Sequence, residues 1–97
     1  MKLEGKKVLV VGAGKSGIAA SELLLDKKIE TVLYDGNKDL DVEKLDEKAP
    51  KLKGMPVLLG ELTDEQLRAF DVAVLSPGVP TDLPVVERMR AQNVCIW

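Results

Sequence analysis

The sequence has no histidine, a single cysteine and only three aromatic residues among its 97 positions. One cysteine cannot form an internal disulfide, and the missing histidines remove the usual zinc-binding spacings, so we expect neither a disulfide scaffold nor a zinc site. Three aromatic side chains are too few for a platform on which nucleic-acid bases stack. The formal net charge of −2 also argues against a broadly basic surface for nucleic acid or a membrane.

Long hydrophobic runs are missing as well. No apolar run approaches the roughly 20 residues of a membrane-spanning helix, and the charged start of the chain is unlike a signal peptide. We therefore expect a soluble, cytoplasmic protein, whose length fits one domain over residues 1–97. Because the sequence stops inside an apolar run, Val94 to Trp97, we expect it to be part of a longer polypeptide.

What is present is an alternation of short apolar runs and amphipathic stretches. The predicted strands cover residues 7–11, 31–34, 56–59, 72–75 and 94–97. Helical spacing begins at Ser16, after the Thr63 cap and near Leu83, whereas residues 38–53 predict a weak helix or a partly irregular connection. This order predicts a Rossmann-like α/β fold, with a five-stranded parallel sheet and helices on both faces.

A glycine loop (residues 12–17) joins the first strand to the first helix and matches G-x-G-x-x-G. In that context the first glycine permits a tight turn, Gly14 lets the backbone approach a phosphate, and Gly17 allows close packing of helix on strand. The loop is not an ATP-binding P-loop, because the first glycine of that pattern would fall at Leu9. A Gly-rich turn of purely structural use is the alternative.

Two further loops follow strands at the same predicted edge of the sheet. Asp35, at the end of the second strand, stands where dinucleotide-binding folds hold a ribose hydroxyl, although a carboxylate accepts bonds from a base N–H equally well. The segment Ser76-Pro77-Gly78 after the fourth strand offers a stiff backbone against which a flat ring can lie. Turns without any ligand role are the alternative for both loops.

Together these residues resemble the N-terminal domain of the Mur ligases. The resemblance extends over essentially the whole chain and rests on Gly5-Lys6, the glycine loop, the Asp35 turn, residues 60–65, residues 75–79 and the Val94 to Trp97 end. It implies a domain that binds the UDP part of UDP-N-acetylmuramoyl-L-alanine. In the parent ligase, ATP and Mg²⁺ would act in a central domain and D-glutamate would enter through a C-terminal domain.

The resemblance also implies roles for single residues. Lys15 and Ser16, with Gly14 and Gly17, would hold the diphosphate, and Asp35 and Gly36 would read the uracil. Ser76, Pro77 and Gly78 would close over the ring from the other side. One departure is Asn37, where the family often has a long basic side chain that covers the uracil, so either Asn37 or Lys38 would take that place.

No catalytic residue, metal ligand or cofactor is expected within these 97 residues, and we expect the chain by itself to be catalytically inert. The parent would be an ATP-dependent carbon–nitrogen ligase of peptidoglycan biosynthesis, with consequences for cell-wall formation, cell shape and division. The main alternative is an NAD-binding domain of an oxidoreductase or regulatory protein, which shares the glycine loop and Asp35 but leaves the Ser76-Pro77-Gly78 loop unexplained. A domain with a purely structural role is a third reading.

Overall fold

The computed structural model describes residues 5–52, 54–76, 79 and 83–96, apart from the side chain of Asp46. Its elements are β1 (Lys7–Val11), α1 (Lys15–Asp26), β2 (Glu30–Asp35), α2 (Val42–Lys48), a short 3-10 helix (Pro50–Leu52), β3 (Val57–Leu59), α3 (Asp64–Arg68), β4 (Val72–Leu75), α4 (Pro84–Ala91) and β5 (Cys95–Ile96). This alternation confirms the predicted α/β organisation. None of the described helices is long and apolar enough to cross a membrane.

The five strands form one parallel sheet in the order β3-β2-β1-β4-β5. From the central β1 the chain moves outward through β2 to β3, then crosses back to β4 on the other side of β1. The direction of winding therefore reverses between β1 and β4. In open α/β sheets, ligands bind in the crevice at the carboxyl ends of the strands where this reversal occurs.

Both faces of the sheet are covered, which explains why the central strands are apolar throughout. Leu9 and Val11 of β1 face a cluster that includes Leu67 of α3 and Met89 of α4. The alternate residues of β1, Val8 and Val10, belong to a second cluster, to which α1, α2 and the 3-10 helix contribute side chains. Side chains alternate along a strand, so β1 contributes to both cores and is buried from Val8 onward.

Helix starts follow the local chemistry of the sequence. Thr63 caps α3 as predicted, in a reciprocal box with Gln66: each side chain bonds the other residue's backbone N–H. Within the segment 38–53, the seven residues Val42–Lys48 form α2, which the Asp41 carboxylate caps, and Pro50–Leu52 form the 3-10 helix. The predicted weak helix or partly irregular connection therefore corresponds to two short helical elements.

Close contact between α1 and the sheet depends on small residues on one helix face. A Cβ atom at Gly17 would lie only 1.8 Å from the carbonyl oxygen of Gly12 and 2.8 Å from the hydroxyl of Ser76. One turn later, the fully buried Ser21 satisfies its hydroxyl by donating to the Gly17 carbonyl oxygen over 2.8 Å. The predicted packing role of Gly17 agrees with this geometry.

Replacing Gly17 by alanine should therefore destabilise the fold severely. The new methyl group would collide with backbone rather than with a side chain that can move aside, and we expect a loss of about 3 kcal/mol or more in the free energy of unfolding, in the range of strong overpacking. Urea denaturation of the 97-residue chain, as wild type and as Gly17→Ala, measures this loss.

The matched control is Gly14→Ala, three residues earlier in the same loop. Gly14 has φ of −75°, and among the described residues beyond its two chain neighbours no atom lies within 4 Å of the position that its Cβ would take. We expect a change within about 1 kcal/mol, the scale of a glycine-to-alanine difference at a helix cap. Equal stability losses for the two variants would contradict the packing role of Gly17.

Candidate functional site

The glycine loop begins with a residue that only glycine suits. Gly12 has φ of +102°, a backbone conformation that other residues rarely adopt. Its N–H donates to the carbonyl oxygen of Tyr34 over 2.7 Å, which extends the β1–β2 pairing by one residue. A Cβ at Gly12 would also press on Ser76 and Val79, at 3.1 and 3.2 Å. Gly12 is therefore required by the protein's own turn and packing.

Gly14 differs from Gly12 and Gly17, because nothing described in the protein requires a glycine there. Its φ is ordinary, and none of the described residues beyond its chain neighbours comes within 4 Å of the position of a Cβ. Gly14 is the N-cap of α1, and no side chain caps this helix among the described residues. Lys15 and Ser16 in its first turn are exposed. The backbone N–H groups and the positive end of the helix dipole therefore face the outside, which favours a negatively charged ligand.

Asp35 lies at the carboxyl end of β2, half-buried, and both of its carboxylate oxygens accept backbone hydrogen bonds. One oxygen accepts the N–H of Ala13 in the glycine loop over 3.0 Å, and the other accepts the N–H of Asn37 over 2.8 Å. The carboxylate thus joins the loop after β1 to the turn after β2. Sequence reasoning did not foresee this contact, because a link across 22 residues depends on the strand pairing.

Tyr34, the buried residue before Asp35, connects the same edge to β3. Its hydroxyl donates to the carbonyl oxygen of Gly60 over 2.5 Å, while the N–H of Gly60 donates to the carbonyl oxygen of Asp35 over 3.0 Å. Burial raises the pKa of the Tyr34 phenol, and the negative charge of Asp35 adds to this effect. The neutral hydroxyl therefore remains a donor, and β2 holds the loops that follow both of its neighbours.

Asn37 and Lys38 lie in the turn after Asp35. The Asn37 side-chain oxygen accepts the N–H of Asp39 over 3.0 Å, so this side chain stabilises its own turn. A Cβ at Gly60 would lie 3.5 Å from the Cβ of Lys38, so Lys38 lies beside Gly60, the residue that follows β3. Gly36 is exposed between Asp35 and Asn37.

Ser76 follows β4 and closes the other side of the glycine loop. Its N–H donates to the carbonyl oxygen of Val11, and its hydroxyl donates to the carbonyl oxygen of Gly12 over 3.2 Å. The Ser76 hydroxyl is therefore engaged with the protein backbone. Pro77 and Gly78, which sequence reasoning assigned to the face of a ring, lie outside the described residues.

The structure thus brings the first two predicted loops and Ser76 to one edge of the sheet, at the reversal between β1 and β4. A cleft of about 300 Å³ adjoins this edge between α1 and α2, where Ala13, Asn37 and Lys44 are among its lining residues. Another cavity, of about 400 Å³, lies at the opposite edge near Lys7, Glu30 and Phe70. Within the described part of the chain, no three Asp, Glu, His or Cys side chains group as metal ligands would.

Comparison with known proteins gives a family match over nearly the whole chain. Residues 6–97 match the model of the Mur ligase MurD-like N-terminal domain. A UDP-N-acetylmuramoylalanine–D-glutamate ligase of Lachnoclostridium phytofermentans is 47% identical over 96 residues, which are 99% of this chain and 21% of that protein. The ligase of the same name from Lachnospira eligens is 39% identical over all of this chain and 21% of its own length. The chain therefore spans about one fifth of the length of these relatives.

Solved structures share the fold at lower sequence identity. A pseudomurein peptide ligase type C from Methanothermus fervidus superimposes with a TM-score of 0.72 at 18% identity, covering 95% of this chain and 19% of that one. A minor L-lactate dehydrogenase from Enterococcus mundtii gives a TM-score of 0.56 at 22% identity, over 92% of this chain and 35% of the other. At such identities the likeness concerns the fold, which ligases and dehydrogenases share.

The bond between Tyr34 and Gly60 generates a prediction about stability at the edge of the site. Tyr34→Phe keeps the buried ring but leaves the Gly60 carbonyl without this donor, and should cost about 1 kcal/mol in urea denaturation at pH 7. Because the pKa of the phenol is raised on folding, this contribution is complete below pH 10, the ordinary tyrosine pKa, and is lost as pH rises through the folded value. The difference in the free energy of unfolding between wild type and Tyr34→Phe should therefore become smaller as the pH rises above 10.

Tyr34 is the only tyrosine in the chain, so ultraviolet titration of the phenolate reports on this residue alone. Ionisation in the folded protein at or below the ordinary tyrosine pKa would contradict the assignment.

Proposed function

The chain belongs to the family of MurD-like Mur ligase N-terminal domains, and we propose that it binds the UDP part of UDP-N-acetylmuramoyl-L-alanine. The observation that carries this proposal is the N-terminus of α1, which follows the N-cap residue Gly14 at the edge where the sheet winding reverses and which no side chain of the described residues caps. This combination favours a phosphate group, and the relatives' names indicate a UDP-linked substrate.

In this proposal the diphosphate lies against the first turn of α1. The backbone N–H groups of Lys15, Ser16 and Gly17 point along the helix axis toward the open end and can donate to phosphate oxygens. Gly14 leaves room for those oxygens to approach the backbone. The exposed Lys15 side chain adds a positive charge on the same turn.

The uridine would extend from the diphosphate toward the β2 turn. Asp35 and Gly36 lie next to the glycine loop through the bond from Ala13, so a base held there is within reach of the same loop. Each carboxylate oxygen has a second lone pair, which leaves Asp35 able to accept a base N–H while it holds Ala13 and Asn37. Ser76 would border the ring, together with Pro77 and Gly78.

The parent activity that fits this domain is the ATP-dependent addition of D-glutamate to the substrate in cytoplasmic peptidoglycan biosynthesis, which supports cell shape and division. Because Leu9 in β1 stands where a P-loop has its first glycine, we place ATP outside these 97 residues. We place Mg²⁺ and D-glutamate there too, as the resemblance to the Mur ligases implies. The chain by itself would bind the UDP part weakly and transfer nothing.

Isothermal titration of the 97-residue chain with UDP, NAD⁺ and ATP tests this function. We expect UDP to bind more tightly than either of the others by about tenfold, or about 1.4 kcal/mol. Gly14→Ala should weaken UDP binding by a similar factor, because its methyl group takes the space of a phosphate oxygen while the fold is kept.

Leu23→Ala is the matched control. Leu23 lies on the same helix, 58% exposed, more than two turns from Gly14, and this variant should bind UDP as wild type does. Tighter binding of NAD⁺ than of UDP would favour a dinucleotide-binding domain. Unchanged UDP affinity in a folded Gly14→Ala protein would remove the diphosphate from this loop.

A further inference from the structure

Both oxygens of the Asp35 carboxylate accept backbone N–H groups of the protein itself. We propose that Asp35 is a positioning residue for the anion site: by holding Ala13 and Asn37, it fixes the glycine loop in the conformation that accepts a diphosphate. This inference rests on the proposed function, and it adds a role for Asp35 that is independent of the base. It implies that an anion without any base depends on Asp35 as well.

The bond from Ala13 to Asp35 constrains the entry of the chain into α1. Ala13 is the residue between Gly12 and Gly14, so its peptide group sets the direction in which the chain enters α1. The Ala13 N–H is bonded to Asp35 over 3.0 Å, and the preceding N–H, of Gly12, is bonded to the Tyr34 carbonyl over 2.7 Å. Two successive peptide groups of the loop are thus tied to two successive residues of β2.

A carboxylate suits the two backbone bonds that Asp35 accepts. A carboxylate can accept two backbone N–H groups at once, one on each oxygen, and such charge-assisted bonds are stronger than bonds between neutral groups. The second bond, from Asn37, fixes the carboxylate itself, because it closes a tight turn directly after Asp35. An asparagine at this position has one acceptor oxygen, so it can satisfy only one of the two N–H groups and presents its own NH₂ to the other.

A role in positioning and a role in reading the base make different predictions for a ligand that has no base. If Asp35 acted on the uracil alone, removing its charge would leave pyrophosphate binding unchanged or improve it, since a negative charge near a phosphate is lost. If Asp35 positions the loop, pyrophosphate binding weakens in spite of that electrostatic gain.

The experiment measures pyrophosphate and UDP affinities of the 97-residue wild type, Asp35→Asn and Asp39→Asn by isothermal titration. Asp39 is an exposed carboxylate in the same turn and has no described bond to the glycine loop, so Asp39→Asn reports the effect of charge alone. We expect Asp35→Asn to weaken both ligands by about tenfold or more, the effect of losing a bond to a charged acceptor. Asp39→Asn should bind both at least as well as wild type.

Amide hydrogen exchange of the ligand-free proteins provides the second readout. The Ala13 N–H should exchange faster in Asp35→Asn than in wild type, whereas amides of the central strand, such as Val10, should keep their protection.

Three results distinguish a failure of the proposed function from a failure of the positioning role of Asp35. Wild type that binds neither ligand overturns the proposed function and with it the anion site, whereas the exchange of Ala13 still shows whether Asp35 fixes the loop. Unchanged pyrophosphate affinity in Asp35→Asn, with UDP affinity lowered, overturns the positioning role and leaves Asp35 as a reader of the base. Unchanged Ala13 exchange overturns it as well.

Discussion

Two consecutive residues at the end of β2, Tyr34 and Asp35, hold the carboxyl edge of the sheet together. Their carbonyl oxygens accept the N–H groups of Gly12 and Gly60, and the Asp35 carboxylate accepts the N–H of Ala13. Loops that leave a sheet carry backbone donors that need partners once water is excluded. Here the strand between β1 and β3 supplies those partners, so the loops on both sides take their shape from it.

Within this constraint, the three glycines of the glycine loop have different roles. Gly12 and Gly17 are required by the protein itself, through a positive φ in one case and a backbone contact in the other. Gly14 has neither reason and stands at the open end of α1. A motif that reads as three equivalent glycines therefore contains two that build the turn and one that leaves space for something outside it.

Much of the fold was predictable from local pattern. Short apolar runs marked the central strands, because such strands are buried on both faces. Thr63 with Gln66 marked a helix start, since a capping box is formed by residues three apart. The structure of the segment 38–53 was harder to predict, because two short helical elements contain too few turns to give a clear hydrophobic period in the sequence.

The candidate site was only partly predictable. Its location followed from the rule that loops after parallel strands meet at one edge, but the partners of the Asp35 and Ser76 side chains did not. These bonds join residues 22 and 64 positions apart, so they depend on which strands lie side by side. Sequence reasoning assigned both residues to a ligand, which stays a prediction, and the structure adds that each side chain bonds the glycine loop.

The most direct test follows the backbone amides of the 97-residue chain during titration with UDP and, separately, with uridine. If the open end of α1 holds the diphosphate, the amides of Lys15, Ser16 and Gly17 shift with UDP and stay in place with uridine, while Gly36 and Asn37 respond to both. Equal responses of Lys15 to Gly17 to the two ligands, or none to either, would contradict a diphosphate site at this helix.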